Sequence, residues 1–144
     1  IATEFTVASG KYAELIHEGD PECKVVGKGS PLLAALVDRG DFNQHDINTE
    51  IRTQVDNILA REKVENLILG CTHYPFLLPV LERVVAGRGV EIVDPSPAVA
   101  RRVVQLLDQY GLHAAPDHVP SYTFRTFAGE SYRLRLEHKA AESL

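Results

Sequence analysis

The sequence has little cysteine and no tryptophan or methionine. Its 144 residues contain two cysteines, Cys23 and Cys71, which form no CxxC pair, and the histidines form no HxxxH pair. This spacing provides no disulfide framework and no complete set of zinc ligands. Two cysteines without such a framework are typical of a reducing compartment, so we expect a cytoplasmic protein.

The chain also lacks a long apolar run and an excess of positive charge. No apolar stretch approaches the roughly 20 residues that a membrane-spanning helix needs. The formal net charge of -5 argues against nucleic acid or an anionic membrane as a partner. With 44% hydrophobic and 24% charged residues, the composition is that of a soluble globular protein about one domain long.

One segment concentrates chemically useful side chains. Residues 67–75 read Leu-Ile-Leu-Gly-Cys-Thr-His-Tyr-Pro. The apolar run ends at Gly70 and is followed directly by Cys71, Thr72 and His73. Prolines and an amphipathic run follow, which predicts that the polar trio lies between a strand and a helix. Ligands of parallel α/β sheets bind beyond the carboxyl ends of the strands. The positive end of a following helix would also favour the thiolate, so the pattern predicts a reactive thiol.

Other interpretations of Cys71 compete with a reactive thiol. A free cysteine is often a small buried core residue. A metal site is a further alternative, although Cys71 and His73 supply only two ligands. The position of Cys71 outside the apolar run, with polar neighbours after it, favours a functional thiol. Cys23 matches no such pattern and is interpreted as incidental.

Hydrophobic spacing predicts alternating helices and strands. The helices are predicted at 7–17, 31–38, 46–63, 76–86, 97–110 and 130–144, and the strands at 24–27, 66–69 and 90–93, with a further β-prone run at 122–127. Ser30 followed by a proline is typical of a helix start. The alternation predicts an α/β fold, a three-layer α/β/α sandwich with a mainly parallel, doubly wound sheet.

The motif around Cys71 resembles the second catalytic motif of the glutamate racemases, within the cofactor-independent aspartate/glutamate racemase superfamily. The histidine at position 73 is informative, because aspartate racemases usually carry a glutamate there. Three further segments resemble family segments in the expected order, namely residues 3–12, 30–38 and 93–103. The resemblance covers about residues 1 to 110 and extends loosely into the tail.

The resemblance implies a domain organisation. Glutamate racemases consist of two similar α/β domains with the active site between them, and each domain supplies one catalytic cysteine. No segment here resembles the first cysteine motif, of the type Ala-Cys-Asn-Thr. We therefore expect the C-terminal portion of a racemase, with residues 1–111 as the C-terminal domain, truncated at its start, and 112–144 as a tail that returns to the first domain. The expected partners are the missing N-terminal half, glutamate and, as an option, a second copy in a homodimer.

The resemblance also implies a mechanism and its residues. Cys71 would act as base on one enantiomer and as acid on the other, interconverting L- and D-glutamate for peptidoglycan without a cofactor or metal. His73 would hold or accept the thiol proton. Asp38, one methylene shorter, stands where the family usually has a glutamate that assists this histidine. One placed thiol leaves the opposite face of the substrate without an acid, so we expect the isolated chain to be inactive.

Three threonines complete the expected site. The resemblance implies that they bind the substrate carboxylate through hydroxyl and N–H groups: Thr3, Thr6 and Thr72. Helix capping is the alternative interpretation for them.

Three rival functions stay open from the sequence. The first is another amino-acid racemase of the same superfamily. The second is a hydrolase that uses Cys71 and His73 as a nucleophilic dyad. The third is a non-catalytic α/β module whose loop only binds a small acid.

Overall fold

A computed structural model describes residues 1–39 and 45–143, which form two compact units, Ile1–Val103 and Val104–Leu144. The last residue of the helix predicted at 130–144 lies outside the described residues. The predicted domain limits, 1–111 and 112–144, stay a prediction.

Unit 1 alternates helices with short parallel strands. Its elements in chain order are α1 (Glu4–Ala8), α2 (Lys11–Gly19), α3 (Leu33–Arg39), α4 (His45–Leu59), β1 (Asn66–Ile68), a 3₁₀ helix (Tyr74–Leu77), α5 (Leu78–Val85), β2 (Glu91–Val93) and α6 (Ser96–Tyr110). The last residues of α6 belong to unit 2, which also contains α7 (Glu130–Ser143). None of the helices in the described parts of the chain is long and apolar enough to cross a membrane.

The sheet is parallel. β1 and β2 pair in the register Leu67 to Ile92. On the other edge of β1 the first residue of the chain continues the ladder, because the amino group of Ile1 donates to the carbonyl of Ile68 at 2.8 Å and the Gly70 N–H donates to the Ile1 carbonyl at 2.8 Å. Residues 1–2 therefore occupy the position of the next parallel strand.

A fourth segment lies beyond residues 1–2. The Ala2 N–H donates to the Lys28 carbonyl, and the Ser30 N–H donates to the Ala2 carbonyl, both at 3.0 Å, which makes a parallel bridge between Ala2 and Gly29. The order of the four segments is thus 28–30, 1–2, β1, β2.

The connections between these segments place helices on both faces of the sheet. The chain moves outward from residues 1–2 to 28–30 through α1 and α2, and returns to β1 through α3 and α4. Right-handed crossovers that run in opposite directions put their helices on opposite faces. The prediction of an α/β fold with a parallel sheet is confirmed.

The core lies between α3, α4, α5 and β1. The apolar face predicted for α4 is buried, with Ile47, Ile51, Val55 and Ile58 all at most 4% exposed. They pack in one cluster with residues of the neighbouring elements, including Leu33, Val37, Leu67, Leu69, Tyr74, Leu77, Leu81, Val84 and Val85. Ser30 starts α3 as predicted, because its Oγ accepts hydrogen bonds from the N–H groups of Leu32 and Leu33.

Three predictions of secondary structure are wrong. The predicted helix 7–17 is split into α1 and α2 at Gly10, whose φ of +69° is incompatible with a continuous right-handed helix. The predicted strand 24–27 does not form, because these residues have no adjacent strand to pair with. The β-prone run 122–127 likewise contains no strand, and the exposed Phe127 shows that it is not packed as one.

Candidate active site

Polar side chains follow the carboxyl ends of all four parallel segments. Thr3 follows residues 1–2, and Ser30 is the last residue of the outer segment. Cys71 lies three residues after the end of β1. Asp94 directly follows β2 and accepts hydrogen bonds from the N–H and hydroxyl of Ser96, at 2.9 and 2.7 Å. Because parallel strands end at the same edge, these side chains share the edge where ligands of such sheets bind.

The thiol and the imidazole of the motif face each other. Cys71 is half-buried and packs against the core cluster, and its Sγ lies 3.8 Å from Nδ1 of His73. The hydroxyl of Thr72 lies 3.5 Å from the same nitrogen. A 3₁₀ helix, rather than the predicted α-helix, follows the trio, and α5 begins only at Leu78. The imidazole can therefore exchange a proton with the thiol, while solvent still reaches both groups.

A carboxylate lies on the far side of the imidazole. Oδ1 of Asp38, near the end of α3, is 3.6 Å from Nε2 of His73. This distance is typical of an ion pair rather than of a short hydrogen bond. Both side chains are partly exposed, at 45% for Asp38 and 39% for His73. The order Asp38, His73, Cys71 allows the carboxylate to orient the ring that faces the thiol.

Tyr74 attaches the motif to the neighbouring parallel segment. Its side chain is fully buried, and its hydroxyl donates to the Ala2 carbonyl at 3.0 Å. Burial raises the pKa of the Tyr74 phenol above its ordinary range, and the charges of Cys71 and Glu50 raise it further. Sequence reasoning assigned Tyr74 no role, although a tyrosine in a buried stretch requires a partner for its hydroxyl.

A pair of polar side chains, the half-buried Glu50 and the buried Gln54, lies under Ser30. The Ser30 hydroxyl donates to Oε1 of Glu50 at 2.8 Å, and Nε2 of Gln54 donates to the same oxygen at 2.6 Å. Sequence reasoning missed this pair. Glu50 and Gln54 are four residues apart beside the apolar face of α4, which is the signal that could have indicated it.

Glycines allow the close approach of the parallel segments at this edge. A Cβ on Gly70 would lie 3.0 Å from Cβ of Ala2 and 3.2 Å from the Ile1 carbonyl oxygen. A Cβ on Gly29 would lie 2.7 Å from Cα of Glu4. Larger residues at either position would push residues 1–4 away from the edge that carries Cys71.

Thr3 and Thr6 form a pair at the start of α1. Oγ1 of Thr3 accepts from the Thr6 N–H at 3.3 Å, and the two hydroxyls are 2.8 Å apart. Thr3 therefore caps α1, which is the alternative role considered above, and the same geometry leaves its hydroxyl beside the carboxyl end of residues 1–2.

Cys23 lies away from this edge. It is half-buried, seven positions before Ser30 in its segment, and its carbonyl is 2.9 Å from Nε2 of His17. In the described ranges 1–39 and 45–143, no group of three His, Cys, Asp or Glu side chains is arranged to hold a metal ion.

The sequence is similar to curated glutamate racemases. It is 40% identical over 101 residues to the glutamate racemase of Desulforudis audaxviator (strain MP104C), covering 70% of this chain and 36% of the relative. It is 35% identical over 111 residues to that of Synechococcus sp. (strain CC9605), covering 77% of this chain and 41% of the relative. The chain thus spans well under half the length of these two relatives. No family model matches the sequence.

The fold is similar to solved glutamate racemases. A glutamate racemase isoform from Bacillus anthracis superposes with a TM-score of 0.83 and 26% identity, over 98% of this chain and 52% of that chain. The Escherichia coli glutamate racemase, crystallised in complex with L-glutamate and the activator UDP-MurNAc-ala, gives a TM-score of 0.71 and 26% identity over 96% of this chain and 52% of that chain. The sequence and the fold agree: in both, this chain is similar to part of a glutamate racemase, and it covers between 36% and 52% of the length of these relatives.

Proposed function

We propose that this chain is part of a cofactor-independent glutamate racemase that interconverts L- and D-glutamate. The observation that carries the proposal is the thiol of Cys71 at the carboxyl edge of a parallel sheet, 3.8 Å from the imidazole of His73. The names of the relatives and the L-glutamate complex of the Escherichia coli enzyme support glutamate as the substrate.

Cys71 transfers a proton at the α-carbon in this proposal. As a thiolate it removes the α-proton of one enantiomer, forming an S–H bond while the electron pair of the broken C–H bond is left on the substrate. A second acid then delivers a proton to the opposite face of that carbon. In the reverse direction the Cys71 thiol is the donor and the second group is the base.

The other site residues support this transfer. His73 exchanges the thiol proton through Nδ1, and Asp38 orients the ring through Nε2. The hydroxyls at the carboxyl edge bind the substrate carboxylate, and these are Thr3, Thr6 and Thr72. Aspartate at position 38 provides this contact at 3.6 Å, so its effect on the ring is weaker than that of a direct hydrogen bond.

The second thiol belongs to a different part of the enzyme in this proposal. The 144 residues contain one other cysteine, Cys23, whose position away from the carboxyl edge does not suit it for the opposite face. We assign the second thiol to an N-terminal domain, with residues 1–111 as the C-terminal domain and 112–144 as the returning tail. A homodimer is part of the same proposal. The 144 residues alone should therefore bind glutamate weakly and not racemise it.

The cellular role follows from the product. D-Glutamate made in the cytoplasm would serve peptidoglycan synthesis, a cell-wall function that also determines cell shape. The two cysteines, whose spacing provides no disulfide framework, support a reducing compartment.

The two cysteines offer a matched test. We would compare Cys71→Ser with Cys23→Ser in the complete polypeptide that carries this stretch, and follow the optical rotation or circular dichroism of D-glutamate. Cys71→Ser should lower turnover by at least about 10³-fold, because a catalytic pair works as a unit. Cys23→Ser should leave turnover within about twofold.

Two outcomes would contradict the proposal. Equal activity of both variants would show that Cys71 is not the proton-transfer group. A covalent adduct between Cys71 and an ester substrate, detected by mass spectrometry, would favour a nucleophilic hydrolase instead.

A further inference from the structure

One backbone carbonyl joins three parts of the candidate site. The carbonyl of Ala2 accepts from the hydroxyl of Tyr74 and from the N–H of Ser30, both at 3.0 Å. Each of these three residues is adjacent to a proposed site residue or starts the helix that carries one. The site residues are Thr3 after Ala2, His73 before Tyr74, and Asp38 on α3, the helix that Ser30 starts.

The side chain of Ser30 uses its full hydrogen-bonding capacity. It is buried, at 3% exposed, and its Oγ accepts from the N–H groups of Leu32 and Leu33 at 3.2 and 3.1 Å. The same hydroxyl donates to Oε1 of Glu50 at 2.8 Å. A hydroxyl has one proton to donate and two lone pairs. The two accepted bonds start α3, and the bond to Glu50 therefore fixes the remaining rotation of the hydroxyl.

Glu50 is itself held by an amide. Nε2 of Gln54, one turn later on α4, donates to the same Oε1 at 2.6 Å. Gln54 is only 7% exposed, and within the described residues its own Oε1 has no hydrogen-bond partner. A buried acceptor without a donor destabilises the folded state. The opposite orientation of the amide would place two acceptor oxygens together, so the Gln54 side chain holds the carboxylate and leaves its own oxygen unpaired.

Glu50 also acts electrostatically on the cysteine motif. Burial raises the pKa of the Tyr74 phenol above its ordinary range, and the charges of Cys71 and then of Glu50 raise it further. Both acidic groups therefore lie within electrostatic reach of one phenol. An apolar side chain of similar size in place of a charged one is often neutral for stability or improves it. The placement of Glu50 thus indicates a role in the site rather than in the stability of α4.

We propose that Glu50 is a positioning residue for proton transfer by Cys71, an inference that rests on the function proposed above. The carboxylate fixes the hydroxyl of Ser30, and the N–H of Ser30 together with the hydroxyl of Tyr74 fixes the Ala2 carbonyl. The turn that carries the thiol is thereby held against residues 1–3. Loss of the carboxylate should misplace the thiol without removing a group that touches the substrate. Because proton transfer requires close alignment, kcat should fall by more than KM rises.

Three variants of the complete polypeptide that carries this stretch would test the proposal. Glu50→Ala removes the acceptor, whereas Glu50→Gln keeps an acceptor oxygen of the same reach. Val55→Ala is the matched control, because it removes a buried apolar group from the same helix and none of these hydrogen bonds. The readouts are kcat and KM with D-glutamate, and hydrogen exchange of the Tyr74 amide, which donates to the Cys71 carbonyl at 3.0 Å. Exchange of the Leu69 amide, which donates to β2, serves as the reference for overall stability.

Glu50→Ala should lower kcat about 10- to 30-fold and raise KM less than about threefold. It should also speed exchange of the Tyr74 amide at least about tenfold relative to Leu69. Glu50→Gln should restore kcat to within about threefold of the original enzyme, and Val55→Ala should leave it within about twofold. If Glu50→Ala does not fold, Ser30→Ala breaks the same link from its other end and has to show the same losses.

A double variant tests the route through Ser30. In a Ser30→Ala background, Glu50→Ala should lower kcat by less than about twofold, because the link is already broken. An undiminished effect in that background, an equal fall in kcat for Val55→Ala, or unchanged relative exchange of the Tyr74 amide would overturn the proposal. A complete polypeptide that does not turn over glutamate would instead refute the proposed function. The relative exchange of the Tyr74 amide would then decide by itself whether Glu50 positions the turn.

Discussion

The two units of the chain differ in how they bury apolar side chains. Among the described residues, every buried apolar side chain lies in unit 1, between Ala2 and Val85. In the described part of unit 2 the large apolar residues are half-buried or exposed, and the exposed ones include Tyr110 at 63%, Leu112 at 66% and Phe127 fully. The packed core of unit 1 can therefore hold side chains in fixed positions, as a catalytic site requires.

A histidine–aspartate pair in each unit illustrates this difference. His73 and Asp38 are 35 positions apart and meet at 3.6 Å, because the fold brings the end of α3 beside the residues after β1. His113 and Asp108 are five positions apart and meet at 2.8 Å at the end of α6. The first pair depends on the core of unit 1, whereas the second needs only local structure.

The largest expected effect tests the core of unit 1. Leu33→Ala removes a side chain that is fully buried in the cluster around α3 and α4. Its loss should lower the free energy of unfolding by about 3 kcal/mol, through lost transfer energy and the remaining cavity. Urea denaturation followed by far-ultraviolet circular dichroism measures this change.

Leu134→Ala is the matched control in unit 2. Leu134 is 52% exposed on α7, so the same truncation should cost less than about 0.5 kcal/mol. Equal losses for the two variants would contradict the difference between the units.

The second effect concerns the histidine pairs. His73→Gln keeps a polar side chain but removes the titrating ring beside Cys71. In the proposed mechanism this should lower turnover of the complete enzyme about 10²-fold and alter its pH profile. His113→Gln, which breaks the local pair with Asp108, should leave both unchanged. Loss of activity in both variants, with unchanged thermal midpoints, would remove the functional distinction between the pairs.

A third, smaller effect tests how the motif is fixed to its neighbour. Tyr74→Phe removes the hydrogen bond to the Ala2 carbonyl and should cost about 1 kcal/mol at pH 7, because this carbonyl loses one of its two donors and keeps the Ser30 N–H. Tyr110→Phe, on an exposed side chain, should cost almost nothing. Urea titrations of the two variants measure the difference.

The same tyrosine predicts a dependence on alkaline pH. The pKa of Tyr74 is higher in the folded chain than in the unfolded one, so the folded state favours the neutral phenol. Its contribution is complete below the unfolded pKa of about 10 and is lost as the pH rises above that value. Tyr74→Phe should therefore lose less stability between pH 9 and pH 11 than the original chain. An identical loss of stability in the variant and in the original chain would show that ionisation of Tyr74 is not the cause.

Much of unit 1 could be predicted from the sequence, because its signals are local and strong. The spacing of Ile47, Ile51 and Val55 specified the buried face of α4, and Ser30 with its proline specified the start of α3. Gly10 was missed, because a single glycine inside an amphipathic pattern is compatible with a helix unless its φ is positive.

Features that depend on residues far apart in the sequence were harder to predict from it. Residues 24–27 have β-forming side chains but no adjacent strand, and local preference does not supply one. The approach of Asp38 to His73 was expected only through the family resemblance, since no periodicity relates positions 35 apart. The Ser30–Glu50 and Tyr74–Ala2 contacts were not predicted, because each joins residues at least 20 positions apart.

The smallest expected effect tests the surface of unit 2. On α7, Arg133 donates through Nε to Glu130 at 2.8 Å and also pairs with Glu137. The hydrogen bond from Arg133 holds the pKa of Glu130 below its ordinary value. The folded pKa is depressed, so this contribution is present above the unfolded pKa of about 4.3 and is lost as the pH falls through the folded value.

Glu130→Gln should nevertheless shift the thermal midpoint by less than about 1 °C at pH 7, because solvent and salt screen an exposed pair and its side chains lose rotamer freedom. Glu18→Gln serves as the control, on an exposed carboxylate of α2 in unit 1. Calorimetry at pH 7 and at pH 3 measures the thermal midpoints. The difference in midpoint between the two variants should be equally small at both pH values, or absent at pH 3. A fall of more than about 4 °C for Glu130→Gln alone would mean that unit 2 depends on this ion pair as unit 1 depends on its core.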